Sequence, residues 1–233
     1  MKAIVTGAAQ GIGAAIVDWC TSQGGTVVGI DRNPLPPDSA ALSGVVADLS
    51  DPEAVQRSYA TAFATLGGAD HCFFNAGIAS GTAISELDPA QYFATMRVNV
   101  DAMVLGTSMA LRTMGHGHIV LTASLAGLMP LSLDPVYTAS KHAIVGFVRA
   151  VGHEAHTKGI TVQALCPGFT ETALLDIGIR PLLEATSWPI MPVADAIEGI
   201  VALLQDPKPG ACWITQAGHP PSRFQFSNVP DPK

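Results

Sequence analysis

A chain of 233 residues is long enough for one well-buried α/β domain and short for two. Hydrophobic side chains make up 48% of it and charged ones only 13%, so much of its surface must be buried, some of it between subunits. A net charge of −7 argues against nucleic acid or an anionic membrane as partner, and no apolar run reaches the ~20 residues that span a bilayer.

The first apolar run, Ala3-Ile4-Val5, reads as a buried strand, and residues 11 to about 23 read as the helix after it. Lys2 precedes this stretch, but Thr6, Gln10 and the glycines interrupt it and Asp18 closes it, so a secretory signal is not expected. Between strand and helix lies Thr6-Gly7-Ala8-Ala9-Gln10-Gly11-Ile12-Gly13. Glycines in that setting allow a tight turn and close approach of backbone to a pyrophosphate, while the helix N-terminus offers free N–H groups. A glycine-rich loop by itself is more often a plain turn. The strand before it and the helix after it make this one a dinucleotide-binding candidate.

The next run, Thr26-Val27-Val28-Gly29-Ile30, has strand character and ends in Asp31, eighteen residues after Gly13. That is close to the ~20 at which an acid meets the ribose hydroxyls of a dinucleotide. A carboxylate there repels a 2′-phosphate and favours NAD over NADP, and Arg32 beside it softens the preference. The other reading of Asp31 is a turn-forming acid ahead of Asn33-Pro34. After a proline-rich turn at 34–38, Val45-Val46-Ala47-Asp48-Leu49 is a further strand ending in an acid, which places Asp48 and Leu49 at the adenine edge. Pro52 opens a helix capped by Asp51 and ending near Gly67-Gly68. Cys72-Phe73 then leads into Phe74-Asn75-Ala76-Gly77, a turn whose small residues let the backbone pass beside a cofactor.

Residues 89–114 carry one long helical pattern, in which Asn99 is mildly unfavourable and loosens the ladder locally. A strand over 117–122 leads to Ser124, a helix spans about 135–156, and a strand covers 160–165. On that helix Tyr137 and Lys141 lie four residues apart and share a face. A phenol ordinarily gives up its proton near pH ~10, and a fixed cation nearby lowers that value, so Tyr137 is expected to serve as acid or base near neutral pH. Ser124 adds a hydrogen bond to the oxygen on which charge changes. Taken alone, Tyr-x-x-x-Lys is more often a half-buried ring beside a solvated charge. His116 and His118, or His153 and His156, lack the further ligands zinc requires, so no metal site is expected. Cys20, Cys72, Cys166 and Cys212 show no metal-like spacing and are expected to be buried thiols of a cytoplasmic protein.

Residues 169–192 crowd Phe169, Leu174, Leu175, Ile177, Leu182, Leu183, Trp188, Ile190 and Met191 into one stretch. They form either a substrate lid, which makes the substrate mostly apolar, or a subunit contact or plain core. Arg180 is the one basic residue there and could meet a substrate carboxylate. The domain is expected to occupy residues 1–218, and residues 219–233 an extended C-terminal tail. Alternating strand and helix mean a doubly wound parallel sheet with helices on both faces, a single-domain Rossmann fold. Every motif falls at the carboxyl end of a strand, where ligands bind in such sheets.

In order along residues 1 to about 217, the Thr-Gly-x-x-x-Gly-x-Gly turn, Asp48, Asn75-Ala76-Gly77, Asn99, Ser124, Tyr137-x-x-x-Lys141 and Pro167-Gly168 with Thr172 resemble the short-chain dehydrogenase/reductase family. As a set these motifs are highly specific. The resemblance implies an oxidoreductase with NAD as cofactor and Asn99, Ser124, Tyr137 and Lys141 as catalytic residues. It implies a nucleotide held by Gly7, Gln10, Gly11, Ile12, Gly13, Asp31, Arg32, Asp48, Leu49, Asn75, Tyr137, Lys141, Thr170 and Thr172. Lys141 would also bond the nicotinamide ribose, and Asn99 would hold a water linking Lys141 to solvent. The expected substrate is a small hydrophobic secondary alcohol or its ketone, of hydroxy-lipid, steroid or aryl type. The expected assembly is a homodimer or homotetramer built on the 89–114 and 135–156 helices. Three positions depart from or qualify the pattern. Phe74 replaces a first Asn, a core substitution; Asp134 puts an anion where it would alter the substrate pocket; Gln10 stands where NADP-using relatives carry a basic residue. The alternatives are an NADP-dependent carbonyl or 3-oxoacyl reductase, or a nucleotide-binding protein without turnover.

Overall fold

The computed structural model describes residues 1–176 and 179–227. Strands β1 (Lys2–Thr6), β2 (Thr26–Asp31), β3 (Ser43–Val46), β4 (His71–Phe74), β5 (Gly117–Thr122), β6 (Ile160–Pro167), β7 (Cys212–Gln216) and β8 (His219–Arg223) form one sheet in the order β3-β2-β1-β4-β5-β6-β7-β8. All neighbours pair in parallel except β7 with β8. The central strands are continuous apolar runs because both faces are covered, as in any parallel sheet clothed by helices. Alternation still decides which side each residue serves. Phe73 joins the core under α1 (Gly11–Ser22) and α7 (Val193–Gln205), whereas Phe74 joins the core under α2 (Pro52–Leu66), α4 (Ala102–Thr113) and α5 (Pro135–Thr157). The sheet therefore has two apolar cores, one per face.

The substitution at Phe74 is a core substitution. Its ring is fully buried, packs edge-on against Tyr59 at 5.4 Å, and fits beneath Gly106 of α4. Chain order runs outward in both directions from β1 and β4, and this reversal opens a crevice at their carboxyl ends.

Four expectations are revised. The strand expected at 45–49 is β3 at Ser43–Val46, so Asp48 stands in the loop beyond it. The single helix expected at 89–114 is α3 (Pro89–Met96) and α4 joined by a π-helical turn, Arg97–Asp101, centred on Asn99. Segment 169–192 is only partly a cover. Leu175, Leu183 and Met191 are buried, Leu182 and Trp188 are exposed, and the segment contains a short helix α6 (Arg180–Ala185); Ile177 lies outside the described residues. The segment after Gly218 is extended but paired, since β8 is antiparallel to β7, and Phe226 lies under the Arg149 guanidinium at 3.8 Å. Among the described residues no helix is long and apolar enough to cross a membrane.

Candidate active site

The glycine-rich turn is held from both sides. The Thr6 hydroxyl at the end of β1 accepts the Asn75 and Ala76 N–H groups at 2.9 and 3.0 Å, locking β1 to the turn after β4. The Asn75 amide donates back to the Thr6 carbonyl at 3.3 Å. A Cβ on Gly13 would lie 1.9 Å from the Gly7 carbonyl oxygen, so only glycine lets α1 start this close to the turn. Gln10, at the N-cap of α1, makes no side-chain cap bond, which leaves the first N–H groups of the helix available to an anion. A tight turn, an uncapped helix start and a crevice between diverging strands fit the pyrophosphate of a dinucleotide. Ile12 packs on the core under α1, and the Thr172 side chain lies against Gly11.

Asp31 makes the turn and also reaches the glycine-rich loop. One carboxylate oxygen accepts the Asn33 N–H at 2.9 Å, making the turn, and the other accepts the Ala9 N–H at 3.0 Å, reaching the glycine turn. Asp48 is held below the usual carboxylate range by hydrogen bonds from Ser50, with Arg32 adding its charge. The Leu49 side chain belongs to the core, so only its backbone can face a nucleotide. On the far wall Thr170 donates to the Gly168 carbonyl at 3.0 Å and Thr172 to the Thr170 carbonyl at 3.2 Å.

Tyr137 and Lys141 sit on the first turns of α5, close to Ser124 at the end of β5. Lys141 is almost wholly buried, and its ammonium donates to the Thr122 carbonyl at 2.8 Å and lies 5.5 Å from the centre of the Tyr137 ring. Burial pushes its amine down to about 8. The expectation that the lysine lowers the phenol is corrected. Loss of water pushes Tyr137 up to about 12, against the hydrogen bond from Ser124 and with the help of Asp134. The physical reason is that stripping water from a phenolate costs more than a cation turned toward a carbonyl returns.

Asn99 is not a surface residue. It is fully buried, accepts the Ile78 N–H at 2.8 Å, and donates to the Ile78 carbonyl at 2.9 Å and the Ser140 hydroxyl at 3.0 Å. The π turn aims it inward at the β4–α3 connection. A Cβ on Gly77 would come within 3.3 Å of the Lys141 ammonium and 3.4 Å of the Asn99 carbonyl oxygen, so the glycine keeps the gap between them open. Two further residues have partners within the fold. Asp134 is buried as the N-cap of α5. The Arg180 guanidinium is engaged by the Glu171 carboxylate through two of its nitrogens.

Sequence reading gave no role to Thr6, Thr122 or Ser140. Ser140 stands inside Tyr-Thr-Ala-Ser-Lys and bonds the Tyr137 carbonyl at 2.7 Å while receiving Asn99; its position three residues after Tyr137 was the available signal. Thr122 acts through its carbonyl, which no side-chain motif records. Among the described residues no group of three or more His, Cys, Asp or Glu is arranged to hold a metal ion.

The short chain dehydrogenase family model matches residues 1–177. The chain is similar to human 15-hydroxyprostaglandin dehydrogenase [NAD(+)], 31% identical over 195 residues that cover 75% of this chain and 70% of that protein. It is also similar to 2,5-dichloro-2,5-cyclohexadiene-1,4-diol dehydrogenase of Sphingobium indicum, 32% identical over 199 residues, 78% of this chain and 80% of the relative. Among solved structures, a short chain dehydrogenase from Burkholderia cenocepacia in complex with NADP superposes with a TM-score of 0.81 at 26% identity, covering 93% of this chain and 96% of that one.

Proposed function

The chain belongs to the short-chain dehydrogenase family, and on that premise we propose that it is an NAD-dependent oxidoreductase interconverting a hydrophobic secondary alcohol, of hydroxy-lipid, steroid or aryl type, and its ketone. The observation that carries this reading is a phenol and a buried amine one helical turn apart, with a serine hydroxyl near enough to act on the phenol, at the carboxyl ends of the strands. A nicotinamide bound there supplies the donor or acceptor of hydride. Ser124 and Tyr137 orient the substrate oxygen through their hydroxyls, and Tyr137 takes or returns its proton. Lys141 supports the proton transfer and holds the nicotinamide ribose, and Asn99, with a water, links it to solvent. Gly7, Gln10, Gly11, Ile12 and Gly13 hold the pyrophosphate. Asp31 and Arg32 hold the adenosine ribose, Asp48 and Leu49 the adenine side, and Asn75, Thr170 and Thr172 the nicotinamide half.

Support for NAD comes from the Asp31 carboxylate at the end of β2, from Gln10 in place of a cation, and from the human relative, which is named for NAD(+). Support for an apolar substrate comes from Met129 and Leu133, half exposed between Ser124 and Tyr137, and from Trp188 edge-on to Phe169 at 6.0 Å. The NADP-dependent reductase reading rests on Arg32, close enough to act on Asp48, and on the NADP-bound Burkholderia relative. Comparing NADH with NADPH consumption over a panel of ketones decides between them. We further propose a dimer or tetramer through the α3–α4 and α5 helices, for which Leu105, an exposed apolar residue on α4, speaks, and a cytoplasmic setting, which four buried free thiols favour.

Tyr137→Phe is expected to leave NAD affinity nearly intact and to lower turnover on the order of 10²–10⁴-fold. Full activity in that variant refutes the reading. Tight NAD binding with no turnover on any alcohol or ketone of a broad panel would favour the non-catalytic alternative instead.

A further inference from the structure

Asp134 makes more hydrogen bonds than a helix cap requires. It stands at the N-cap of α5, three residues before Tyr137, and is 6% exposed. One carboxylate oxygen accepts the Tyr137 N–H at 2.9 Å and the Ser80 hydroxyl. The other accepts the Ser80 and Gly81 N–H groups at 2.8 and 2.9 Å. A cap needs one bond to the first turn; the remaining donors come from a loop far away in sequence. That loop, residues 78–81, continues directly from Asn75-Ala76-Gly77 at the end of β4. Asn99 holds it at Ile78, and the Gln91 side chain donates to the Ala79 carbonyl at 3.2 Å. Asn99 also reaches the helix bearing Tyr137, through Ser140, and Asp134 is the charged member of this clamp that does so, at the Tyr137 N–H itself.

Its charge counts because few others reach the phenol. Lys141, on the same helix, lies 5.5 Å from the ring centre and bonds Thr122. From the end of β5 comes neutral Ser124; from β6, Cys166 acts on Lys141 rather than on the phenol. On α3 and the π turn, which pack against α5, Asp88, Arg97 and Asp101 are exposed. Beyond β6, Glu171 and Arg180 engage each other. The carboxylate of Asp134, bonded to the Tyr137 N–H at the start of the helix, is the negative charge here that opposes loss of the phenol's proton.

We propose that Asp134 is a positioning residue: it ties the start of α5 to the 78–81 loop, and its negative charge sets how readily Tyr137 parts with its proton. The inference rests on the reading of Tyr137 as the acid–base group and adds a direction to it. A phenol kept protonated suits donation to a ketone, and alcohol oxidation is displaced toward higher pH.

The test uses the full chain labelled with [¹³Cζ]tyrosine, with and without NAD. Only three tyrosines are present, so the Tyr137 resonance is assigned by its loss in Tyr137→Phe. In Asp134→Asn the titration midpoint is expected to fall by about one pH unit. In Ser80→Ala, which removes a donor and leaves the charge less neutralised, it is expected to rise. The pH of half-maximal alcohol oxidation should follow the same order. A helix start that was merely loosened would shift both variants in one direction, and that result, or an unmoved midpoint in Asp134→Asn, overturns the proposal. Should Asp134→Asn not fold, Ser80→Ala decides alone: a raised midpoint supports the role and an unchanged or lowered one ends it. The resonance reports ionisation without turnover, so an active Tyr137→Phe would sink the functional reading and leave this measurement standing.

Discussion

At the carboxyl end of the parallel strands, Lys141 is pushed down to about 8 and Tyr137 up to about 12, each tied to a carbonyl or hydroxyl of a neighbouring element. At the amino end of the same strands, Asp70, His71 and His118 also gather. The Asp70 carboxylate meets the His71 ring at 2.5 Å and the Lys2 N–H at 2.9 Å, and the two imidazoles stack at 5.2 Å. Burial lowers His118, with the neighbouring His71 adding to the effect, while hydrogen bonds from His71 and Lys2 hold Asp70 below the usual carboxylate range despite its burial. The amino-end cluster holds none of the candidate site residues, so its perturbed ionisation is expected to act on folding. The carboxyl end combines perturbed groups with the glycine-rich turn and the uncapped start of α1. Shifted ionisation becomes a functional signal when it lies beside a surface of that kind.

Each end can be broken separately. The largest effect is expected from Lys141→Met, which should cut kcat on the order of 10²–10⁴-fold while the melting temperature holds or rises, because a buried charge is removed. His118→Phe should leave kcat alone, and a loss of turnover there would erase the contrast between the ends.

Gly13→Ala comes next. A methyl 1.9 Å from the Gly7 carbonyl cannot be accommodated without moving backbone, at a cost of about 1–3 kcal/mol. Calorimetric NAD binding should weaken by more than the stability loss accounts for, since the turn itself is displaced.

The smallest effect is the pH dependence of unfolding. The folded pKa of His118 is depressed, so the unfolded chain binds the proton first and stability falls as pH drops below ~6.5. Asp70 is also depressed; its contribution is present above the unfolded value of ~3.9 and disappears as pH falls through the folded one. Denaturant melts from pH 7.5 to 4.5 should show a gentler loss in His118→Phe than in the parent chain. Parallel curves would mean that this cluster has no part in acid sensitivity.

Much of this was legible in the residue order. Glycine turn, Asp31, Asn75, Ser124 and the Tyr137–Lys141 pair were each recognisable because strand, turn and helix leave local marks, and a parallel sheet then brings all strand ends to one side. That the Leu49 side chain enters the core, leaving its backbone to face a nucleotide, was not legible, because hydrophobic periodicity does not reveal which of two adjacent residues turns inward after a short edge strand. Asn99 was seen as a disturbance in a helix, yet its two bonds to Ile78 span 21 positions and leave no local mark. Pairing of β8 likewise escaped notice, since Pro220 and Pro221 suit only an edge that needs few N–H donors.

Sequence by itself determined the architecture, the family and the set of groups available for chemistry, because short-range patterns of polarity and turn residues encode them. Tertiary structure alone decided the ionisation of Tyr137 and the office of Asp134. Both depend on how completely water is excluded and on which distant N–H groups arrive at a carboxylate, and burial of that kind is a property of the assembled fold rather than of any segment.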